Sequence, residues 1–345
     1  LDQVFPGHGI SPDAEVGRLS IAQRQMVEIA RAFSTVESGI ELVILDEPTS
    51  SLDQSAAAQL VDFIRGFIAE GGSVILISHL LGEILSASDE IVVMRDGRAV
   101  ARDKASNYDR ERLVADMGDM RELDGQIGKR KRPPSEAPAI VTGPEHDGIQ
   151  LVLRPGEIVG FAGLSGHGQT EMLVEVFYAA RRRKGRIEAK EKAVFVAGDR
   201  QTDGVFPLWS IRQNISASSL GRLTKTLAID FNREAEEAEE WKKRLSIRTP
   251  DMRNGILSLS GGNQQKALFA RALGADARIV LMDDPMRGVD VGTKQEVYGI
   301  LAEEAAKGRA LIWYTTETDE LEHCDRVYVF REGRIVAELQ GDELT

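Results

Sequence analysis

The sequence predicts an α/β fold built twice, as two lobes each organised around a parallel sheet. One cassette occurs in two copies: Leu19-Ser20-Ile21-Ala22-Gln23 with Asp46-Glu47-Pro48, and Leu259-Ser260-Gly261-Gly262-Asn263-Gln264 with Asp283-Asp284-Pro285. The copies stay in step elsewhere. Ala30-Arg31-Ala32 matches Ala270-Arg271-Ala272, Asp53 matches Asp290, and Asp96-Gly97-Arg98 matches Glu332-Gly333-Arg334. A repeat of this length, with a helix start and an acidic strand end in each copy, points to paired lobes rather than a solenoid. Short apolar runs also alternate with helical spacing, the order that builds parallel sheets.

In the first copy, Glu41 to Leu45 is an apolar run ending in carboxylates and reads as a buried parallel strand. Helical spacing runs from Ala56 to Ala69, Gly71-Gly72 ends it, and Ser73 to Ser78 is a second buried strand. Residues 1–120 are the back half of a lobe, residues 121–134 a linker rich in Gly, Pro and basic residues, and residues 135–345 the second lobe. There a short strand at Ala139-Ile140-Val141 precedes a strand from Glu157 to Ala162, a tight loop from Gly163 to Gly168, and a helix from Thr170 to Arg181. Gly204 to about Asn254 is richer in helix, with Arg233 to Arg244 as one solvated face. Ala310 to Tyr314 is the final strand of the repeated order. The interval from Gly163 to Leu259, counted back from Leu19, runs past residue 1, and the chain begins with Leu. The first lobe is therefore expected to be incomplete, its own loop preceding Leu1.

Composition narrows the function classes. At 345 residues the chain has room for about two domains of roughly 150 residues. A formal net charge of −12 gives no global attraction to nucleic acid or an anionic membrane surface. The basic clusters Arg181-Arg182-Arg183-Lys184 and Lys129-Arg130-Lys131-Arg132 read as a solvated helix end and a linker. The single cysteine, Cys324, excludes an internal disulfide framework and reads as a small packed residue. No run approaches the ~20 apolar residues that span a bilayer.

Gly163-Leu164-Ser165-Gly166-His167-Gly168-Gln169-Thr170 has the spacing of a phosphate-binding loop between a strand and a helix. Glycines let backbone N–H groups curl around phosphate, the helix N-terminus adds partial positive charge, and Thr170 offers a hydroxyl to Mg²⁺. Gln169 stands where such loops carry lysine. Loss of a full charge beside the phosphates costs ~1 kcal/mol or more, so the loop is expected to bind yet catalyse poorly.

The acidic strand ends supply the rest of a nucleotide-hydrolysing site. Asp46 is expected to hold Mg²⁺, Glu47 to polarise the attacking water, and His79 to meet the γ-phosphate. In the second copy Asp283 keeps the metal position, while Asp284 is one methylene shorter than Glu47. Thr316-Glu317 aligns with Ser78-His79, so a carboxylate is expected to face γ-phosphate and repel it.

These motifs, with Leu45 to Asp53 and Leu259 to Lys266, resemble the ABC ATPase superfamily, two lobes with a P-loop NTPase sheet core and a helical subdomain. Over nearly the whole chain they look most like the tandem ATP-binding subunits of bacterial monosaccharide importers of the ribose, xylose and galactose type. The sharpest features are the Ser260 to Lys266 form of the second signature, the lysine-free loop, Glu317, and Pro285 to Gly292. That resemblance implies ATP and Mg²⁺, with each ATP pinned between one lobe's phosphate loop and the other's signature. One site would combine Asp46, Glu47 and His79 with Ser260, Gly261, Gly262 and Asn263. The other would combine Gly163, Gly166, His167, Gly168, Gln169, Thr170, Asp283 and Asp284 with Ser20 and Gln23, where Ile21 and Ala22 crowd the approach. Gly198 stands where such subunits often have Glu in a Pro-Glu-Asp-Arg segment.

The resemblance further implies a chain peripheral to the cytoplasmic membrane face, coupled to a permease dimer and indirectly to a periplasmic sugar-binding protein. Gly198 to Trp209 is the expected permease contact, and no nucleic acid partner is expected. The alternatives are a nucleotide-binding regulatory module of low turnover and a soluble tandem ABC protein of translation or DNA repair.

Overall fold

Apolar runs punctuated by glycine set the architecture seen in the computed structural model, which describes residues 1–34, 41–49, 51–78, 80–95, 97–117, 137–182, 185–225, 228–286, 289 and 291–340. The chain divides into two compact units, Leu1–Ile127 and Gly128–Thr345. The expected linker, residues 121–134, lies outside the described residues, as does His79.

The first unit runs α1 (Ile21–Phe33), β1 (Leu42–Asp46), α2 (Gln54–Ala69), β2 (Ser73–Ile77), α3 (Leu81–Ala87), β3 (Glu90–Arg95), β4 (Arg98–Lys104) and α4 (Arg110–Met117). β1 and β2 pair in parallel, Leu42 opposite Ser73 through to Asp46 opposite Ile77. Asp53 caps α2 by accepting from the Ala56 N–H at 2.9 Å, and Gly71 at φ 97° turns the chain out of it. Val43 and Leu45 pack with Leu60, Ile64 and Ile29 in one core, whereas Leu42, Ile44, Ile75 and Ile77 are exposed. The expectation of doubly buried strands is thus corrected for β1 and β2. Among the described residues only one face of the pair is covered. Antiparallel β3 and β4 form a hairpin whose Ile91 and Val93 pack on Leu113 and Tyr108.

In the second unit β5 (Val141–His146), β6 (Ile149–Leu153) and β8 (Glu188–Ala189) form an antiparallel sheet, the chain passing between them through β7 (Ile158–Ala162) and α5 (Gln169–Arg182). β9 (Ala193–Val196) leads to a helical section: α6 (Ile211–Ser216), α7 (Leu220–Leu223), the small hairpin of β10 (Thr224–Lys225) and β11 (Ala228–Ile229), and α8 (Phe231–Arg244). α9 (Gly261–Gly274), β12 (Ile279–Asp283), α10 (Val291–Ala306), β13 (Ala310–Tyr314), β14 (Arg326–Arg331) and β15 (Arg334–Gln340) complete it. Two strands therefore follow Ala310–Tyr314. α8 is not solvated throughout: Glu234, Ala238 and Trp241 are buried, and Glu234 accepts from the Ser216 hydroxyl at 2.7 Å.

The main sheet has the order β15-β14-β7-β13-β12-β9, parallel except for β15. β12 and β13 are almost wholly buried, with α5 residues Met172, Leu173 and Val176 on one side and α9 residues Leu268 and Phe269 in the core on the other. β7 lies between two strands that follow it in sequence. Its carboxyl end therefore opens at a switch point, where α/β sheets hold ligands.

Candidate nucleotide site

Three glycines set the loop between β7 and α5. Gly163, Gly166 and Gly168 have φ of 134°, 80° and 101°, a region L side chains rarely adopt. A Cβ on Gly163 would stand 2.5 Å from the Phe330 carbonyl oxygen, and one on Gly168 would stand 2.8 Å from Gly333 Cα. The Gly333 N–H donates to the His167 carbonyl at 2.9 Å. Gln169 is buried, and its side-chain amide donates to the Leu164 carbonyl at 3.1 Å. The donor expected to face phosphate is thus engaged by the loop itself. Thr170, one residue on, sends its hydroxyl to Asp283 Oδ1 at 2.8 Å. That contact brings the end of β12 against the first turn of α5, whose N-terminal dipole favours an anion.

Both strand ends make the same turn. Glu47 has φ 48° and its N–H donates to the Ile77 carbonyl at 2.8 Å; Asp284 has φ 44° and its N–H donates to the Tyr314 carbonyl at 2.8 Å. The strand register corrects the expected pairing of Ser78-His79 with Thr316-Glu317. Asp46 pairs with Ile77 and Asp283 with Tyr314, which puts Ser78 and Thr315 at equivalent places. Their hydroxyls donate to Glu83 at 2.7 Å and Glu320 at 2.6 Å, and each accepts the N–H two residues on, from Leu80 at 3.1 Å and Glu317 at 3.0 Å. In sequence, Thr316 therefore stands at the place of His79, and Glu317 at that of Leu80.

The correction changes the electrostatics. Thr316 donates its hydroxyl to Asp284 Oδ2 at 3.0 Å and its N–H to Oδ1 at 3.3 Å, so both oxygens of that buried carboxylate accept from one residue. Glu317 takes Lys294 Nζ at 2.6 Å on each oxygen, and the same ammonium lies 3.1 Å from Glu320. A facing ammonium compensates the charge expected to repel phosphate. Burial opposes the Lys294 charge, but Glu320 and Glu317 outweigh it and hold its pKa above the ordinary value. Glu320, 3% exposed, is pushed up to about 7, by burial first and by Glu317 against the pull of Lys294.

The two signature helices begin differently. Ser20 closes a capping box on α1: its hydroxyl accepts from the Gln23 N–H at 3.2 Å, and the Gln23 side chain accepts from the Ser20 N–H at 3.1 Å. Ile21 and Ala22 form the first turn behind it. Ser260 precedes α9 without such a side-chain cap. Its hydroxyl accepts instead from Asn263 Nδ2 at 2.9 Å, while Asn263 Oδ1 accepts from the Arg248 N–H at 2.8 Å. A Cβ on Gly261 would stand 3.0 Å from the Arg200 guanidinium, so glycine there permits a close approach.

Gly198 is explained by space, since a Cβ there would stand 2.7 Å from the Asp283 carbonyl oxygen. Beyond it, Phe206 and Trp209 stack at 4.5 Å, Arg271 covers the Phe206 ring, and Leu208 is 97% exposed. Asn214 holds the segment by accepting from the Phe206 N–H at 2.8 Å and donating to its carbonyl at 3.1 Å.

The structure thus joins Gly163 to Thr170 with Asp283 in one site, and places Asp284 on the turn that follows Asp283. Asp46 and Glu47 end β1, and Ser20 with Gln23 begins α1, both in the first unit. Ser260, Gly261, Gly262 and Asn263 begin α9 in the second. Lys294 and Glu320 are absent from the sequence expectation, and Thr316 enters it only as the partner of Ser78. Laying the copies in the corrected register reveals Lys294, because Lys294 and Glu317 replace Ala57 and Leu80 together, while Glu320 keeps the place of Glu83.

The ABC transporter family model matches residues 146–287. A ribose import ATP-binding protein of Burkholderia cenocepacia is 37% identical over 98% of this chain and 70% of its own length. An arabinose import ATP-binding protein of the same organism is 37% identical over 96% of this chain and 70% of its own. Among solved structures, RNase-L inhibitor superposes with a TM-score of 0.62 at 22% identity, covering 94% of this chain and 65% of that one. A model of ribosome-bound archaeal Pelota and ABCE1 gives 0.65 at 21% identity, covering 95% and 57%. At such identities the superpositions speak to the fold alone. With its loop, strand-end carboxylates, signature helices and close relatives in sequence, the chain belongs to the ABC transporter family, as an ATP-binding subunit.

Proposed function

We propose that this chain couples ATP binding and hydrolysis to the import of a simple sugar through a membrane permease. The observation that carries the reading is the Thr170 to Asp283 contact at 2.8 Å beneath the glycine loop. Both are hard oxygen donors of the kind that hold Mg²⁺ together with substrate phosphates. Among the described residues no group of three or more His, Cys, Asp or Glu side chains is placed to hold a metal ion. When bound, Mg²⁺ would neutralise charge on the phosphates. The sugar follows from relatives named for ribose and arabinose import.

In this reading the chain's residues divide between two sites. In the first unit Asp46 would hold metal, Glu47 would orient and polarise water and His79 would contact γ-phosphate; in the second, Ser260 to Asn263 would present a helix start to a phosphate. The glycine loop, Gln169, Thr170 and Asp283 would bind a second ATP, and Ser20 and Gln23 would present the first unit's helix start. Asp284, whose oxygens accept from Thr316, makes that second site the supporting one. The exposed Phe206, Leu208 and Trp209 would dock on the permease, with the chain peripheral to the cytoplasmic face and a periplasmic sugar-binding protein engaged indirectly. No described helix is long and apolar enough to cross a membrane.

Glu47→Gln introduced into the gene tests the reading by uptake of labelled ribose and arabinose in cells. Uptake is expected to fall to background with the protein still in the membrane fraction. Undiminished uptake of a sugar that requires the gene would overturn it.

A further inference from the structure

We propose that Lys294 is a positioning residue whose ion pair with Glu317 locks the segment after β13 in place, so that the second unit's nucleotide site has a preset switch. The proposal rests on the reading of Gly163 to Thr170 as a nucleotide site and goes beyond it in assigning the control of the adjoining segment. Lys294 is 5% exposed on α10, and its ammonium meets both Glu317 oxygens at 2.6 Å and Glu320 at 3.1 Å. Glu320 is fixed in turn by the hydroxyls of Thr315 at 2.6 Å and Tyr298 at 3.0 Å. Between Thr315 and Glu317 lies Thr316, which donates twice to Asp284. One buried cation therefore ties α10, the segment after β13 and the turn after β12 together.

The two copies argue that this is a paired exchange. Where the first copy has His79, it carries Ala57 and Leu80 at the places of Lys294 and Glu317, so no ion pair can form there. The copy with Thr316 has both charges. A buried ammonium is costly without partners, and loss of one partner leaves an uncompensated charge. Segments that sense γ-phosphate are ordered by ligand contacts and released when those contacts go. Here an internal ammonium supplies the ordering charge, and both oxygens of Asp284 stay engaged with or without nucleotide.

Amide hydrogen exchange on the full chain, with and without Mg-ATP, tests this. In the wild type, exchange at 314–323 is expected to change less than about twofold on adding Mg-ATP, while 163–170 gains protection. The double variant Lys294→Ala/Glu317→Leu, which installs the first copy's apolar pair, is expected to exchange about tenfold faster at 314–323 and to slow on adding Mg-ATP. Lys294→Arg should restore wild-type exchange. A purely structural role predicts uniform loosening of α10 and β13 with no new nucleotide dependence. Protection at 163–170 accompanied by a wild-type response of about tenfold at 314–323 overturns the lock alone, and this arm needs no variant. An unchanged double variant also overturns it. Absence of protection at 163–170 overturns the nucleotide reading and the lock with it.

Discussion

The Thr170 hydroxyl and Asp283 Oδ1 meet at 2.8 Å, joining the first turn of α5 to the end of β12 across 113 residues of sequence. Thr170→Val keeps the shape and removes the donor. The Mg²⁺-dependent part of ATP binding is expected to weaken about tenfold, with a smaller change in the Mg²⁺-independent part. Titration of a fluorescent ATP analogue with and without Mg²⁺ measures both; equal losses would deny Thr170 a metal role.

The loop tolerates no side chain at Gly168, where φ is 101° and a Cβ would stand 2.8 Å from Gly333 Cα. Gly168→Ala should cost at least about 1–3 kcal/mol and abolish nucleotide binding. Gly221→Ala on α7, with nothing within 4 Å of its Cβ, is the control. It should stabilise by about 0.5–1 kcal/mol. Urea denaturation of the two variants should move in opposite directions.

Ser20 and Ser260 should respond differently to alanine. Ser20→Ala removes a capping box, a loss of about 1 kcal/mol that should speed amide exchange in the first turn of α1 about fivefold. Ser260→Ala removes no side-chain cap. Exchange at the start of α9 should change by less than about twofold. Equal responses would contradict the difference between the two helix starts.

Stability should carry the signature of Glu320. Its folded pKa is raised from 4.5 to about 7, by burial first, against Lys294 and with Glu317. A carboxyl raised in this way takes up a proton on folding between those values. Its contribution therefore favours the fold at low pH, declines as pH rises from about 4.5 to about 7, and is constant above. Glu320→Gln should remove that slope, so urea midpoints of wild type and variant should differ more at about pH 8 than at about pH 5. A pH-independent difference would rule Glu320 out as its source.

The glycine loop and the strand ends are legible in the sequence because their chemistry is local: glycines, hydroxyl and carboxylates fall within a few residues of a strand or helix boundary. Exposure of β1 and β2 on one face is not legible. Leu42-Val43-Ile44-Leu45 lacks the polar alternation that distinguishes a one-sided strand from a buried one. The Lys294 pair spans 23 residues, and its counterpart in the first copy emerges only when one constant spacing is carried from β1 and β12 through β2 and β13, which the strand register supplies and the short motifs do not. The hydrogen bonds of Ser78 and Thr315 repeat that register.

The turn between β14 and β15 gives the glycine loop a fixed backstop. Phe330 and Gly333 press on it from behind, and the Gly333 N–H grips His167. The curve of the loop is therefore paid for during folding, leaving little ordering entropy to oppose a ligand. If the proposed nucleotide site holds, affinity there is expected to turn on charge, with no reshaping of the loop to offset the missing lysine.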